Sequence, residues 1–131
     1  MTGTPFEMPM TAGPGDIDEL GHVNNAVWVQ WIQRIAFAHW AAHADPDDVA
    51  RYYWVVTRHE IDYRGNIAAG DRVTGRTWIA EPPRGARFAR NVAFLKNGRP
   101  VVEAVSVWAM IDRETGRIAR VPQRMADRFL G

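Results

Sequence analysis

The residues best suited to chemistry lie together near the start of the chain, in Asp16-Ile17-Asp18-Glu19-Leu20-Gly21-His22-Val23-Asn24-Asn25. Three carboxylates, an imidazole and two amides fall within ten positions. A carboxylate such as Asp18 can take a proton from water or attack an electrophile itself. The stretch ends where a helix begins, and a helix start carries free N–H groups with the positive end of the dipole behind them. A free N–H near Asn25 can therefore polarise a carbonyl oxygen that gains negative charge. Plainer roles compete for the same residues. Asp16 and Asp18 suit turns, Asn24 or Asn25 suits a helix cap, and Gly21 suits a close approach or a positive φ. His22 is placed to meet a substrate, to orient Asp18, or simply to pack.

Other candidates are weaker. His39 and His43 share a helix face at i, i+4, but no Cys and no neighbouring Glu completes a metal set, so no metal site is expected. His59 alternates with apolar residues and reads as an interior histidine. Arg84, Arg87 and Arg90 cluster around one loop and suit either phosphate groups or a solvated edge.

The elements that must position these residues can be read from patterning. Ala26–His43 lacks Gly and Pro and is apolar round most of its circumference, from Val27 and Trp28 to Trp40 and Ala41. It is expected to be one long helix almost surrounded by protein, ended by Asp45-Pro46-Asp47-Asp48. The remainder reads as strands. Trp54–Tyr63 is expected to place Val55, Thr57, His59, Ile61 and Tyr63 on one face and Arg58, Glu60 and Asp62 on the other. Arg72–Ala80 and Phe88–Lys96 follow, then a type I′ turn at Asn97-Gly98 and an apolar strand over Val101–Ile111. A short strand near Ile118–Val121 and a terminal helix from Pro122 to Phe129 close the chain. The Gly/Pro-rich Thr11–Gly15 reads as a loop. The fold class expected is α+β, one long central helix wrapped by a curved antiparallel sheet of about five to six strands. A sheet with one face covered by a helix leaves its other face open, which favours an oligomer.

Composition narrows the function. At 131 residues there is room for one domain, 1–131. A net charge of +1 gives no general pull toward nucleic acid or an anionic membrane. The absence of Cys excludes disulfides, thiolate zinc sites and Cys nucleophiles. No basic and apolar leader pattern is visible and no apolar run reaches the roughly 18 residues of a membrane span, so a cytoplasmic location is expected. Lys96 is the only lysine, so the basic side chains are otherwise all Arg.

The run from Asp16 to Trp28 resembles the signature Asp-x-Asp-x-x-Gly-His-Val-Asn-Asn-x-x-Tyr of hotdog-fold acyl-CoA thioesterases of the 4-hydroxybenzoyl-CoA thioesterase type. Glu60-Ile61-Asp62-Tyr63 followed by Gly70-Asp71-Arg72-Val73 is similar to a later part of the same family. The likeness runs from about Met8 to about Pro122. Trp28 stands where the family often has Tyr. Arg64–Ala69 stands where a proline is usual, a departure expected to touch only a loop.

The resemblance implies a hotdog fold and hydrolysis of an acyl-CoA to a free acid and CoA. It implies Asp18 as the catalytic carboxylate, the Asn25 N–H as oxyanion donor and His22 as a helper. Asn24, Trp28 and Tyr63 would contact substrate, with Tyr63 reaching a partner's site. Arg84, Arg87 and Arg90 would meet the CoA phosphates. No cofactor is implied, since CoA belongs to the substrate, and the assembly would be a homodimer or a dimer of dimers. A thioester needs little acid help, because its leaving thiol has a pKa near about 8.5. The rival readings are a thioesterase for acyl-carrier protein, a hotdog hydratase, and a non-catalytic acyl-CoA binder.

Overall fold

The computed structural model describes residues 4–130. Five strands form one antiparallel sheet: β1 (Phe6–Thr11), β2 (Tyr52–Tyr63), β3 (Arg72–Trp78), β4 (Arg87–Lys96) and β5 (Arg99–Asp112), in the order β1-β3-β4-β5-β2. The long helix α1 (Asn25–His43) lies on one face of the sheet. Two short helices, α2 (Pro46–Arg51) and α3 (Gln123–Leu130), close the end near the helix C-terminus. This is the α+β hotdog arrangement expected. Among the described residues, no helix is long and apolar enough to cross a membrane.

The long helix is capped as expected: the Asn24 side-chain oxygen accepts the Ala26 N–H at 3.0 Å. Its buried side chains run from Val27 and Trp28 through Ile35 to His39 and Trp40. The helix is less enclosed than its composition suggested, because Phe37 on its far side is 52% exposed. It seats most closely over β3, where a Cβ on Gly75 would come within 3.0 Å of Ile35 Cδ1 and 3.3 Å of the Met8 carbonyl oxygen. Asn97 (φ 51°) and Gly98 (φ 78°) both take the left-handed conformation that a type I′ turn requires.

Three expectations need correction. The first strand, β1, was not anticipated, because Pro9 interrupts it. Proline is tolerated there since β1 is an edge strand that pairs only with β3. The two faces of β2 exchange at Thr57, where a bulge breaks the register between Val56 and Arg58. Trp54 and Val56 therefore turn inward along with His59 and Ile61, while Val55 and Tyr63 are exposed. The expected strand at Ile118–Val121 is reduced to a single bridge between Ile111 and Ile118.

The inward face of the sheet has a polar row in the middle. Apolar positions on either side form two clusters. One gathers Trp28, Trp31, Ile35, Phe94 and Val102, and the other Trp40, Ile79, Phe88, Met110 and Phe129. Between them, His59 on β2 pairs across to Ser106 on β5, which pairs across to Arg90 on β4. Thr77 on β3 and His39 on α1 complete the row through Arg90.

Candidate active site

The segment before α1 folds back on itself. The Asp18 N–H donates to the His22 carbonyl oxygen at 2.8 Å, and the Asn24 N–H donates to the Asp16 carbonyl oxygen at 2.9 Å. Ile17 and Val23 form an antiparallel bridge between these pairs. The tip is closed by Gly21 at φ 80°, whose N–H donates to the Asp18 carbonyl oxygen at 3.1 Å. The miniature hairpin thus places Asp18 opposite His22, two residues before the helix cap Asn24.

Asp18 has two separable roles here. Its Oδ1 accepts the N–H groups of Leu20 at 2.9 Å and His22 at 3.2 Å, which fixes the turn. Its Oδ2 has no donor among the described residues, so one carboxylate oxygen is held and the other is free. At the helix start, the cap uses the Ala26 N–H through the Asn24 side chain and the Val27 N–H through the Asn24 carbonyl oxygen at 2.9 Å. The Asn25 N–H is left with no acceptor among the described residues. A free carboxylate oxygen and an uncommitted helix N–H are what attack on a carbonyl carbon requires.

A loop outside the motif holds this hairpin in place. Asn66 Oδ1 accepts the Val23 N–H at 3.1 Å and the Ile67 N–H at 2.8 Å, and the Ile67 carbonyl oxygen also accepts from Val23 at 3.1 Å. Two bonds tie Ala12 to Gly70 and Asp71, at 2.8 and 3.0 Å. Asp71 Oδ2 accepts the Ala68 N–H at 2.9 Å and the Lys96 ammonium at 3.1 Å. Those two donors, the N–H first, hold its carboxyl below the usual carboxylate range. The departure at Arg64–Ala69 falls in a loop, as expected, and one residue of that loop, Asn66, holds the hairpin.

The other candidates divide. His22 is exposed beside Asp18. Asn24 is the cap, and its side-chain oxygen is committed to Ala26 rather than to a substrate. Tyr63 is 44% exposed at the end of edge strand β2 that meets the hairpin's supporting loop. Trp28, expected to line an acyl pocket, is fully buried, with its ring 5.2 Å from that of Trp31 and 5.3 Å from that of Phe94. It fills the core of this chain.

The arginines separate as well. Arg84 and Arg87 are exposed and exchange backbone hydrogen bonds of 2.8 and 3.0 Å across the tight turn at Gly85. They sit at the sheet end shared by Tyr52 and Asp112, whereas Asp18 is at the end shared by Thr11, Arg72 and Tyr63. Within one chain they do not meet Asp18. Arg90 does not join them at all, because strand parity with Phe88 and Val92 turns it inward, where it is 8% exposed. Its Nη1 donates to His39 Nδ1 at 2.7 Å and to Thr77 Oγ1 at 3.1 Å. Burial lowers Arg90 to about 10, and burial, then the Arg90 and His43 charges, lower His39 to about 3. At neutral pH the pair is thus a guanidinium donating to a neutral imidazole. His39 Nδ1 is occupied by this bond and is not available to a metal. His59 Nδ1 and Ser106 Oγ share a 2.6 Å hydrogen bond, while His59 Nε2 is buried without a partner.

Comparisons agree with this architecture. Residues 12–129 match the family model of the Thioesterase-like superfamily. Over 74 residues the chain is 28% identical to the chloroplastic acyl-[acyl-carrier-protein] hydrolase of Cuphea viscosissima, a stretch that covers 55% of this chain and 18% of that protein. The structure of a Thermus thermophilus thioesterase complexed with coenzyme A and Zn superposes with a TM-score of 0.80 at 25% identity, covering 94% of this chain and 90% of that one. A predicted thioesterase of Bacillus stearothermophilus superposes with a TM-score of 0.82 at 22% identity, covering 96% and 94%. With its fold matched across nearly its whole length and its sequence matched from residue 12 to residue 129, the chain belongs to the Thioesterase-like superfamily.

Proposed function

We propose that the protein hydrolyses an acyl-CoA thioester to a carboxylic acid and CoA, with Asp18 as its carboxylate and the Asn25 N–H as its oxyanion donor. One observation carries this reading. Asp18 Oδ1 is fixed by two backbone donors while Oδ2 is left free, and the hairpin sets Asp18 opposite His22, two residues before the cap that leaves the Asn25 N–H uncommitted. Oδ2 either takes the proton from an attacking water or attacks the carbonyl carbon itself. In both cases the thioester oxygen becomes negative and is met by the helix N–H and the dipole behind it. The C–S bond then breaks. Where Oδ2 took a proton from water, the CoA thiolate takes up that proton and the acid leaves. Where Oδ2 attacked, the acyl group remains on it as a mixed anhydride, which water hydrolyses to the acid, giving the thiolate its proton and restoring the carboxylate. One such donor is worth roughly 3–4 kcal/mol in an oxyanion hole.

CoA as carrier is supported by the Thermus thermophilus relative, whose structure holds it. Acyl-carrier protein is the second reading, favoured by the Cuphea viscosissima relative. A homodimer built through β2 is supported by that strand's position at the sheet edge and its twelve-residue length. The exposed Tyr53, Val55 and Tyr63 along it support the same reading. In such a dimer the Arg84 and Arg87 end of one subunit faces the Asp18 end of the other, the arrangement a phosphate contact needs.

The test is thiol release from a panel of acyl-CoA and acyl-carrier-protein esters, with Asp18→Asn beside the wild type. Hydrolysis of some ester, lowered by at least about 100-fold in the folded variant, supports the reading and selects the carrier. Equal rates in both proteins, or no release from any ester, would remove Asp18 from the mechanism.

A further inference from the structure

Strand β2 forms one edge of the sheet and runs for twelve residues, against six in β1 at the other edge. Its free side is a row of backbone N–H and C=O groups, a template for an antiparallel copy of the same strand. Two copies of one strand pair antiparallel about a two-fold axis. Side chains that meet must share a face of the sheet, so a residue sits on that axis. Which residue it is fixes every other contact.

Charge narrows the choice. After the bulge, Arg58, Glu60 and Asp62 lie on the outer face of β2, while His59, Ile61 and Tyr63 have inward parity. With Arg58 on the axis, Arg58 meets its own copy. With Glu60 there, Glu60 meets its own copy. With Ile61 there, Glu60 meets Asp62 twice. Like charges directly opposite are destabilising. With His59 on the axis, each Arg58 instead meets Glu60 of the partner subunit. Arg58 and Glu60 already bridge at 3.2 Å along one strand, and both are largely exposed. Pairing about His59 therefore closes a ring of four alternating charges. The bulge fits the same register. Thr57 is the extra residue, and its Oγ1 donates to the Val107 carbonyl oxygen at 3.1 Å. Passing over it keeps the faces matched. Val56 then meets Ile61 of the partner subunit, and Trp54 meets Tyr63 of the partner subunit, all with inward parity. Tyr63 lies across from the buried Val102, yet it is 44% exposed. An aromatic neighbour on its free side is what it lacks.

We infer that the protein pairs with a second copy of itself along β2 with His59 on the two-fold axis. This register rests on the β2 dimer proposed above and does not require hydrolysis at Asp18. It also completes the site from both subunits. Tyr63 is at the Asp18 end of β2 and Trp54 is near the Arg84 and Arg87 end. Setting one against the other brings each Asp18 hairpin to the aromatic end of the neighbouring subunit.

The test uses the absence of Cys. Arg58→Cys, His59→Cys and Glu60→Cys each give the full chain a single thiol, and oxidation to a linked dimer is read on a non-reducing gel. Directly opposed Cα atoms of an antiparallel pair lie about 4.5–5.5 Å apart, within disulfide reach. Two copies of position 58, or of position 60, are diagonal neighbours about 7–8 Å apart in this register, beyond that reach. A linked dimer is expected from His59→Cys alone. Because that substitution also removes the bond to Ser106, an exposed variant gives an independent answer should His59→Cys not fold. Glu60→Gln removes two cross-strand ion pairs and should weaken the dimer about 3- to 10-fold by sedimentation. With Glu60 on the axis the same change would relieve a repulsion and tighten the dimer. Linkage through position 58 or 60, none from a folded dimeric His59→Cys protein, or a Glu60→Gln dimer as tight as wild type or tighter would each overturn the register and leave a dimer standing. A wild type that sediments as a monomer would remove the dimer and the register together.

Discussion

His39 Nδ1 accepts a 2.7 Å hydrogen bond from the Arg90 guanidinium, and both side chains are buried beneath the long helix. This bond requires a neutral imidazole, and it makes the fold sensitive to acid. The folded-state value of His39, about 3, lies below the ordinary 6.5. Between those values the unfolded chain binds the extra proton, so stability rises with pH across the window and is lost as pH falls from 6.5 toward 3. The expected loss is on the order of a few kcal/mol. Chemical denaturation at several pH values should show it, with a flatter dependence in His39→Gln, whose amide oxygen still accepts from Arg90 without titrating. Equal slopes in the two proteins would count against His39 as the origin.

Asp18 offers a way to separate a turn from a catalyst. Asp18→Asn keeps an oxygen for the Leu20 and His22 N–H groups, so unfolding free energy should stay within about 0.5 kcal/mol of wild type while turnover collapses. Asp18→Ala removes both functions and should cost a further ~1 kcal/mol or more. Paired melting and turnover measurements decide the matter.

Asn66 is expected to act on the hairpin from outside it. Asn66→Ala leaves its share of the Val23 and Ile67 N–H groups unmet, a loss of about 1–3 kcal/mol. The hairpin should loosen, and hydrogen exchange at Val23 and Asn24 should quicken. Turnover should fall more than substrate affinity, because the residue positions Asp18 without touching the ester. Exchange rates identical to wild type would contradict this.

Gly75 sets how closely the helix seats. Gly75→Ala puts a methyl against Ile35 and against the Met8 carbonyl, a backbone atom that cannot rotate away. A destabilisation of about 1–3 kcal/mol is expected from overpacking, measured by denaturant midpoint at unchanged slope.

Much of the architecture was legible from residue patterning. The Gly- and Pro-free run after Asn25 gave the helix within one residue of its start, and Asn97-Gly98 gave the hairpin that joins β4 to β5. What escaped has local physical causes. Pro9 disguised β1, since a strand with proline is stable only at an edge, and edges are not visible in a single strand's sequence. The bulge at Thr57 moved Val55 to the outer face, because one inserted residue reverses every side chain on one side of it. Arg90 was read with Arg84 and Arg87 by proximity along the chain. Its parity with Phe88, Val92 and Phe94 already placed it on the buried face, and period two should have outweighed adjacency. In the candidate site, the motif located Asp18 and the helix start. The support from Asn66 lies 43 residues away from Val23 and could come only from tertiary structure.

The polar row of His59, Ser106, Arg90, Thr77 and His39 has a dynamic consequence. It divides the apolar interior into two lobes that share only the helix and the strands running through both. Each lobe closes its own half of α1, so the halves can open as separate cooperative units. Slow-exchanging amides should then sort by lobe, those around Trp28 and Phe94 keeping one time course and those around Trp40 and Phe129 another. A protein built this way can loosen at one end while the helix start at the other keeps its aim.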